Sequence, residues 1–315
     1  MDEFKLGTYI KKRREELRIS QEELCEGLCA VSSLSRIENN QQDPSRLLTR
    51  NLLERLGLPQ DKFTAFWGQR DITVGALMRE ITNDMIRRRR MPKESRIQMQ
   101  EQIQEKLTEL EMMTDPSDRS IRQFLLAKRA CLGGPKGPYA IEETLAMQLE
   151  AIRLTCPKFD PEDFQHGRYS MDECNLINQI ANSYLDMGQR KRAIDIYRQL
   201  LWYVEKNCKE LVDYSDHFCL IAQNYAITLG LEKRYLEAIE ISERGRKICI
   251  YSGQYQFLPS FLAIQAESYY FIGEEERSKK LYFQTYYIYD AFEDKSNWEH
   301  MRQEMKEHLG IEMPE

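Results

Sequence analysis

Long apolar runs are missing from this sequence. No stretch approaches the roughly 18 unbroken apolar residues that a membrane-spanning helix needs. The start, MDEFKLGTYIKKRREELR, has no apolar core segment, so no secretory signal is expected. Glycine and proline are sparse, 15 and 10 in 315 residues. Alternating runs of β-branched residues are absent, which argues against a sheet protein. The eight cysteines (25, 29, 131, 156, 174, 208, 219 and 249) follow no repeated spacing, and they read as reduced thiols packed as small apolar groups. Cys25 and Cys29 are one helical turn apart but lack two further ligands nearby, so no metal site is expected. His166, His217, His300 and His308 are scattered, and the Gly133–Gly137 segment lacks the ending of a phosphate loop. The sequence therefore offers no catalytic constellation, no cofactor motif and no reason to expect an enzyme. A net charge of −6 argues against a chain coated in nucleic acid but leaves room for a small local binding face.

What remains is helix. Apolar residues make up 42% and charged residues 30%, and the stretches between prolines are rich in Leu, Glu, Lys, Arg, Ala and Gln with a period near 3.6. The fold class is all-α. The length suits about two domains at roughly 150 residues each, drawn here as 1–67 and 68–315.

Five short helices fit the first segment. Helix one runs about 5–17, with Leu6, Ile10 and Leu17 inward. Ser20 with Glu23 three residues later forms a capping box, so a second helix spans about 21–27. A tight turn leads to a third, about 30–39, and a fourth covers about 46–56 before Gly57 and Pro59. The apolar stretch 63–67 closes the core. The order Ile10-Lys11, Arg14, Ile19-Ser20-Gln21-Glu22-Glu23-Leu24, then Ser32 to Asn39 (SSLSRIEN), resembles the Cro/repressor-type (XRE) helix-turn-helix domain. Asn40 stands where that family usually has Gly; Asn also tolerates the left-handed conformation. Such a recognition helix presents its first residues to base edges, which here are Ala30, Val31, Ser32, Ser33 and Arg36. Arg36 has the guanidinium suited to guanine O6 and N7. The resemblance implies that Gln21 contacts a phosphate and that Arg14 pairs with Glu38. Residues 1–60 hold ten basic and ten acidic side chains. A neutral domain gains little from phosphate neutralisation, so a dimer on a two-fold operator is expected.

The rest of the chain repeats itself. Small residues recur at Ala181, Ala226 and Ala266, and again twelve positions later at Ala193, Ala238 and Ser278. A large residue follows each first one by three: Tyr184, Leu229 and Tyr269. A weaker copy starts at Ala127. The turn residue is Gly188 and Gly273 in two copies but Lys233 in the other. This pattern resembles the tetratricopeptide repeat, with spacings of 45 and 40 residues in place of the usual 34. Helix pairs are drawn at 70–90 with 93–113, 118–132 with 139–155, 171–187 with 190–207, 214–231 with 235–252, and 257–272 with 275–292. A capping helix follows at 295–309. The resemblance implies a right-handed α-solenoid whose first helices line a concave side. The residues placed there are Asn175, Asn178 and Asn182 in one pair, Gln223 in the next, Glu267 and Tyr270 in the last, and Lys128 from the weak copy. Three asparagines at spacings of three and four make a ladder suited to a peptide backbone, and Lys128 suits a terminal carboxylate. The Arg87–Arg90 run reads as a solvated helix end, or as extra phosphate contacts.

Aromatics at 282, 283, 286, 287, 289 and 292 cover more than one helix face. Either the cap helix takes one face through Trp298 and Met301, or part of it forms a homodimer interface. A helix-turn-helix followed by such repeats resembles the peptide-pheromone receptors called RNPP (the Rgg, PlcR and PrgX group). The resemblance implies a cytoplasmic, homodimeric transcription regulator with two partners: a double-stranded operator and a short linear signalling peptide, as in quorum sensing. The alternative is a regulator whose repeats bind a protein or only dimerise.

Overall fold

The computed structural model describes residues 5–59, 69–91, 93–133 and 139–313. Among these the secondary structure is helical, with no strand. No helix among them is long and apolar enough to cross a membrane. The chain divides into two compact units, Met1–Met187 and Gly188–Glu315. The expected boundary at 67/68 and the 63–67 stretch lie outside the described residues.

The first unit begins with α1 (Leu6–Glu16), α2 (Gln21–Cys25), α3 (Val31–Glu38) and α4 (Arg46–Arg55). Their apolar faces meet in one core around Ile10, Leu24, Leu34, Ile37, Leu52 and Leu53. The helix boundaries have local causes. Ser20 Oγ accepts from the Glu23 amide at 3.1 Å while Glu23 Oε2 accepts from the Ser20 amide at 2.7 Å, which fixes the start of α2. Asn40 adopts φ 57°, the left-handed conformation. Its Oδ1 accepts from the Gly7 amide at 3.1 Å and its Nδ2 donates to Thr8 Oγ1 at 2.9 Å. Asn40 therefore also fastens the start of α1, which a glycine there would not do.

Next come α5 (Gln69–Arg90) and α6 (Lys93–Met113). Lys106 reaches Asp84 at 2.7 Å and Arg88 reaches Gln100 at 2.8 Å. Those two links run in opposite directions along the two helices, so the pair is antiparallel. With α7 (Arg119–Ala130) it encloses a second core of Ile81, Ile103, Leu107, Leu110 and Leu125. Then α8 (Ile141–Thr155) and α9 (Met171–Asp186) complete the unit. The turn after α2 abuts the end of α8. Gly27 sits there at φ 72°, and a Cβ on it would lie 2.0 Å from the Thr155 carbonyl oxygen. Only glycine satisfies both the turn and that approach.

The second unit contains α10 (Arg190–Asn207), α11 (Tyr214–Leu231), α12 (Tyr235–Ser252), α13 (Leu258–Phe271), α14 (Glu275–Ala291) and α15 (Lys295–Leu309). Its pairs are tetratricopeptide-like: Ala193, Ala226, Ala238, Ala266 and Ser278 are fully buried, which lets neighbouring helices approach. The turn residues Gly188 and Gly273 have φ 77° and 82°, and Lys233 takes the same left-handed conformation at φ 61°. On α14, Tyr282, Tyr286 and Tyr289 are buried in a cluster with Ala266, Met301 and Met305, and Trp298 packs against it. Tyr287 and Phe292 remain about half exposed. The cap helix thus covers one face of α14.

Candidate DNA-binding face and its junction with the repeat helices

The first turn of α3 carries the residues placed at base edges. Ala30, Val31, Ser32 and Arg36 are exposed and Ser33 is half-buried. The helix is N-capped by Ala30 with no side-chain hydrogen bond. Leu34 and Ile37, fully buried, hold its other face against the core, so the exposed edge cannot rotate inward. Gln21 opens α2 and is half-buried.

Beneath this face lies a three-membered polar cluster. Arg14 Nε donates to Glu38 Oε1 at 2.6 Å and Arg14 Nη2 to Glu38 Oε2 at 2.9 Å. Gln21 Nε2 donates to the same Oε2 at 2.7 Å. Arg14 also donates to the Ile19 carbonyl at 2.9 Å. The bond to Glu38 raises the Arg14 pKa further. Glu38 is only 2% exposed, so the fork-shaped pairing is largely dry and correspondingly directional. It ties α1, α2 and α3 together, and it sets the height of Gln21 at the helix start.

A second cluster fastens the domain to α8 and α9. Arg55 ends α4 and is buried. Its Nη1 donates to the Leu24 and Glu26 carbonyls at 3.2 and 2.7 Å, and its Nη2 to the Thr155 carbonyl at 3.0 Å and to Glu173 Oε1 at 3.0 Å. One guanidinium thus spans the α2–α3 turn, the end of α8 and the start of α9. Glu173 is fully buried and also serves its own helix. Its Oε2 accepts from the Ser170 amide at 2.7 Å, closing a capping box, and Thr155 Oγ1 donates to its Oε1 at 2.6 Å. Burial opposes ionisation of Glu173, but the Arg55 charge and these hydrogen bonds hold its carboxyl below the usual range. Next to it, Glu54 accepts from the Met171 amide at 2.8 Å. Burial pushes Glu54 up to about 7, against the pull of Arg50. Arg50 in turn pairs with Asp172. Cys156 lies beside Arg55, and burial pushes its thiol well up.

The residues placed on the concave side divide between the two units. In the first, Asn178 is buried while Asn175 and Asn182 are half-buried on α9. Lys128 is half-buried on α7 with its ammonium 5.1 Å from the Phe124 ring centre. Lys128 and Asn175 line one cavity together with Arg50 and Asn51 of α4. In the second unit, Gln223 is half-buried on α11. Tyr270 stacks on His308 of α15 with ring centres 4.4 Å apart. Glu304 of α15 is pushed up to about 7, chiefly by burial, and Glu267 adds to that. The last pair's residues therefore meet the cap helix. Sequence patterning missed the Arg55–Glu173 junction. Nothing in the sequence around Arg55 announces a partner 118 positions away.

A helix-turn-helix family model matches residues 10–62. The chain carries a helix-turn-helix DNA-binding domain. The structure of Bacillus thuringiensis PlcR in complex with the peptide PapR7 and DNA is similar to the whole chain. Identity is 20%, coverage is 94% of this chain and 98% of that one, and the TM-score is 0.58. PlcR in its apo form gives a TM-score of 0.52 at 20% identity, over 94% and 97% of the two chains. The apo competence regulator ComR from Streptococcus vestibularis gives 0.50 at 16% identity, over 96% and 98%. No curated protein sequence matches the chain. The chain thus shares the fold of these structures, a helix-turn-helix domain followed by tetratricopeptide-like repeats.

Proposed function

We propose that this regulator is a cytoplasmic homodimer that senses a short linear peptide on its repeat helices and answers by changing how it binds a two-fold operator. The observation that carries the reading is the double attachment of α9. Its middle presents Asn175 and Asn182, while its first turn is fastened to Arg55 and Glu54 of the DNA-binding domain. A ligand that favours one position of α9 thereby favours one position of the DNA-binding domain, a population shift set by differential affinity. The similarity to a structure that holds both a peptide and DNA supports the same reading. On the DNA side, Arg36 reads a base and Gln21 lies close enough to a helix start to meet a phosphate.

A pool of randomised short peptides offered to the immobilised full-length chain tests the peptide reading. The wild type retains a subset above background. Asn175→Ala with Asn182→Ala loses that subset, while operator binding by the peptide-free protein is unchanged. These two are the residues to alter, because truncating the buried Asn178 also strands its packing. Equal retention by wild type and variant removes α9 from the ligand site.

A second reading has its own observation. In the last repeat pair the face carrying Tyr270 is met by the chain's own α15. There the repeats serve assembly, with the exposed Tyr287 of α14 and Phe292 just after it available to a second copy. Sedimentation of Tyr287→Lys with Phe292→Lys as a monomer supports that role; an unchanged dimer removes it.

A further inference from the structure

Within the first unit a cavity of about 60 Å³ lies among α4, α7 and α9. Arg50 and Asn51 of the DNA-binding domain line it, as do Lys128 of α7 and Asn175 and Gln179 of α9. Two of these groups have unmet chemistry. Asn51 is 3% exposed, and its Nδ2 donates to Ser120 Oγ at 3.0 Å. Its Oδ1 is buried with no hydrogen-bond donor. A buried acceptor left in that state is a cost to the fold unless something supplies an N–H or O–H. Lys128 rests its ammonium over the Phe124 ring rather than on a carboxylate. Arg50, by contrast, is already engaged with Asp172 and, at 3.9 Å, with Glu54.

A ligand group that offers both a hydrogen-bond donor and an anion would suit these two side chains. The space is about that of two waters at roughly 30 Å³ each, so only the end of a larger molecule fits. The last residue of a peptide has this chemistry: its backbone N–H and its carboxylate are separated by a single Cα. Resting on the peptide reading above, we infer that the C-terminal residue of the peptide enters this cavity, donates its N–H to Asn51 Oδ1 and sets its carboxylate against Lys128. The ligand then touches the DNA-binding domain itself. Its carboxylate arrives beside Arg50 as a second anion and competes with Asp172 for that guanidinium. Signal transfer needs no relay along the repeats, because α4 is one wall of the ligand's own pocket.

The test uses two pools of the same randomised short peptides, one ending in a free carboxylate and one in a carboxamide, offered to the full-length protein. Wild type retains the free acids at least tenfold better. Lys128→Gln, a change at a half-exposed site, abolishes that preference and leaves residual binding of both pools. Asn51→Asp keeps an acceptor and can still accept from Ser120, but its charge repels a carboxylate, so its preference inverts toward the amides. Equal retention of both pools by wild type overturns the inference and leaves the peptide reading standing. An unchanged preference in both variants also overturns it, by putting the terminus elsewhere. Retention of neither pool by wild type removes the peptide reading and this inference together.

Discussion

The two units bury different chemistry. The buried charged side chains among the described residues, Glu38, Glu54, Arg55, Asp84 and Glu173, belong to the first unit. In the second, the buried polar groups are Gln265 and hydroxyls such as Thr228, Ser242, Ser268, Ser278 and Thr285, set among Tyr197, Tyr203, Phe218, Phe261 and Tyr282. A buried ion is worth little on balance and is costly when stripped of its partner, whereas an apolar core contributes wherever it is close-packed. The first unit therefore joins its parts through buried ions as well as apolar packing, while the second relies on apolar packing and hydroxyls.

The largest expected effect breaks the ion-bearing junction. Glu173→Ala leaves Arg55 buried and short of its anion, and should cost about 3–5 kcal/mol in denaturant unfolding of the full chain. Phe261→Ala in the second unit should cost a similar amount, about 3–5 kcal/mol, by leaving a cavity. The difference lies in repair. Arg55→Met with Glu173→Leu should recover most of the junction's loss. If that pair is as unstable as Glu173→Ala alone, the junction is a packing core like the other.

A pH series sharpens the contrast. Folding raises the Glu54 pKa from the ordinary 4.5 to about 7. The folded chain then keeps a proton that the unfolded chain releases, so stability falls as pH climbs from about 4.5 to about 7 and levels off above. The full swing is about 3 kcal/mol at most. Glu54→Gln should flatten that segment of the curve. An identical slope in the variant would move its source elsewhere, with Glu304 next in line.

Smaller effects follow. Glu38→Ala strands both Arg14 and Gln21 and should cost about 2–3 kcal/mol, since its bonds are to a charged donor. A surface change would stay within about 0.5 kcal/mol, so the melt of the full chain decides. Arg36→Ala should leave that melt untouched while costing about 1–3 kcal/mol in operator affinity and relaxing base preference at one position. Gln21→Ala should weaken all sequences alike in the same gel-shift series. An Arg36→Ala protein with full selectivity would show that a different edge of α3 reads the bases. Smallest is Lys233→Gly, which relieves a left-handed lysine and should add about 0.5–1 kcal/mol. A loss of stability there would mean that the lysine side chain contributes more than its backbone costs.

Most of the helix boundaries were legible because each has a local cause. Ser20 with Glu23 starts α2, and Gly188 and Gly273 turn the chain between repeat helices. Lys233 was the doubtful turn, and it adopts the same conformation without glycine's help. The helix-turn-helix face was legible because Leu34 and Ile37 fix which side of α3 points inward. What sequence patterning could not reach were pairings set by tertiary approach. Arg55 counts as one more surface charge until the end of α8 and the start of α9 close around it. Asn178 shares a helix face with Asn175 and Asn182 by spacing, yet it is buried and they are not, because the neighbouring helices cover one part of that stripe. Tyr270 likewise reads as a groove residue until α15 arrives with His308.

The bond from the Met171 amide to Glu54 Oε2 has a practical corollary. Met171 is the first residue of α9, where no carbonyl of its own helix awaits its N–H. The acceptor comes from the DNA-binding domain instead. Hydrogen–deuterium exchange at this single amide is thus a built-in gauge of attachment: slow while α4 stays seated, fast once it lifts away, and readable without a label on either domain.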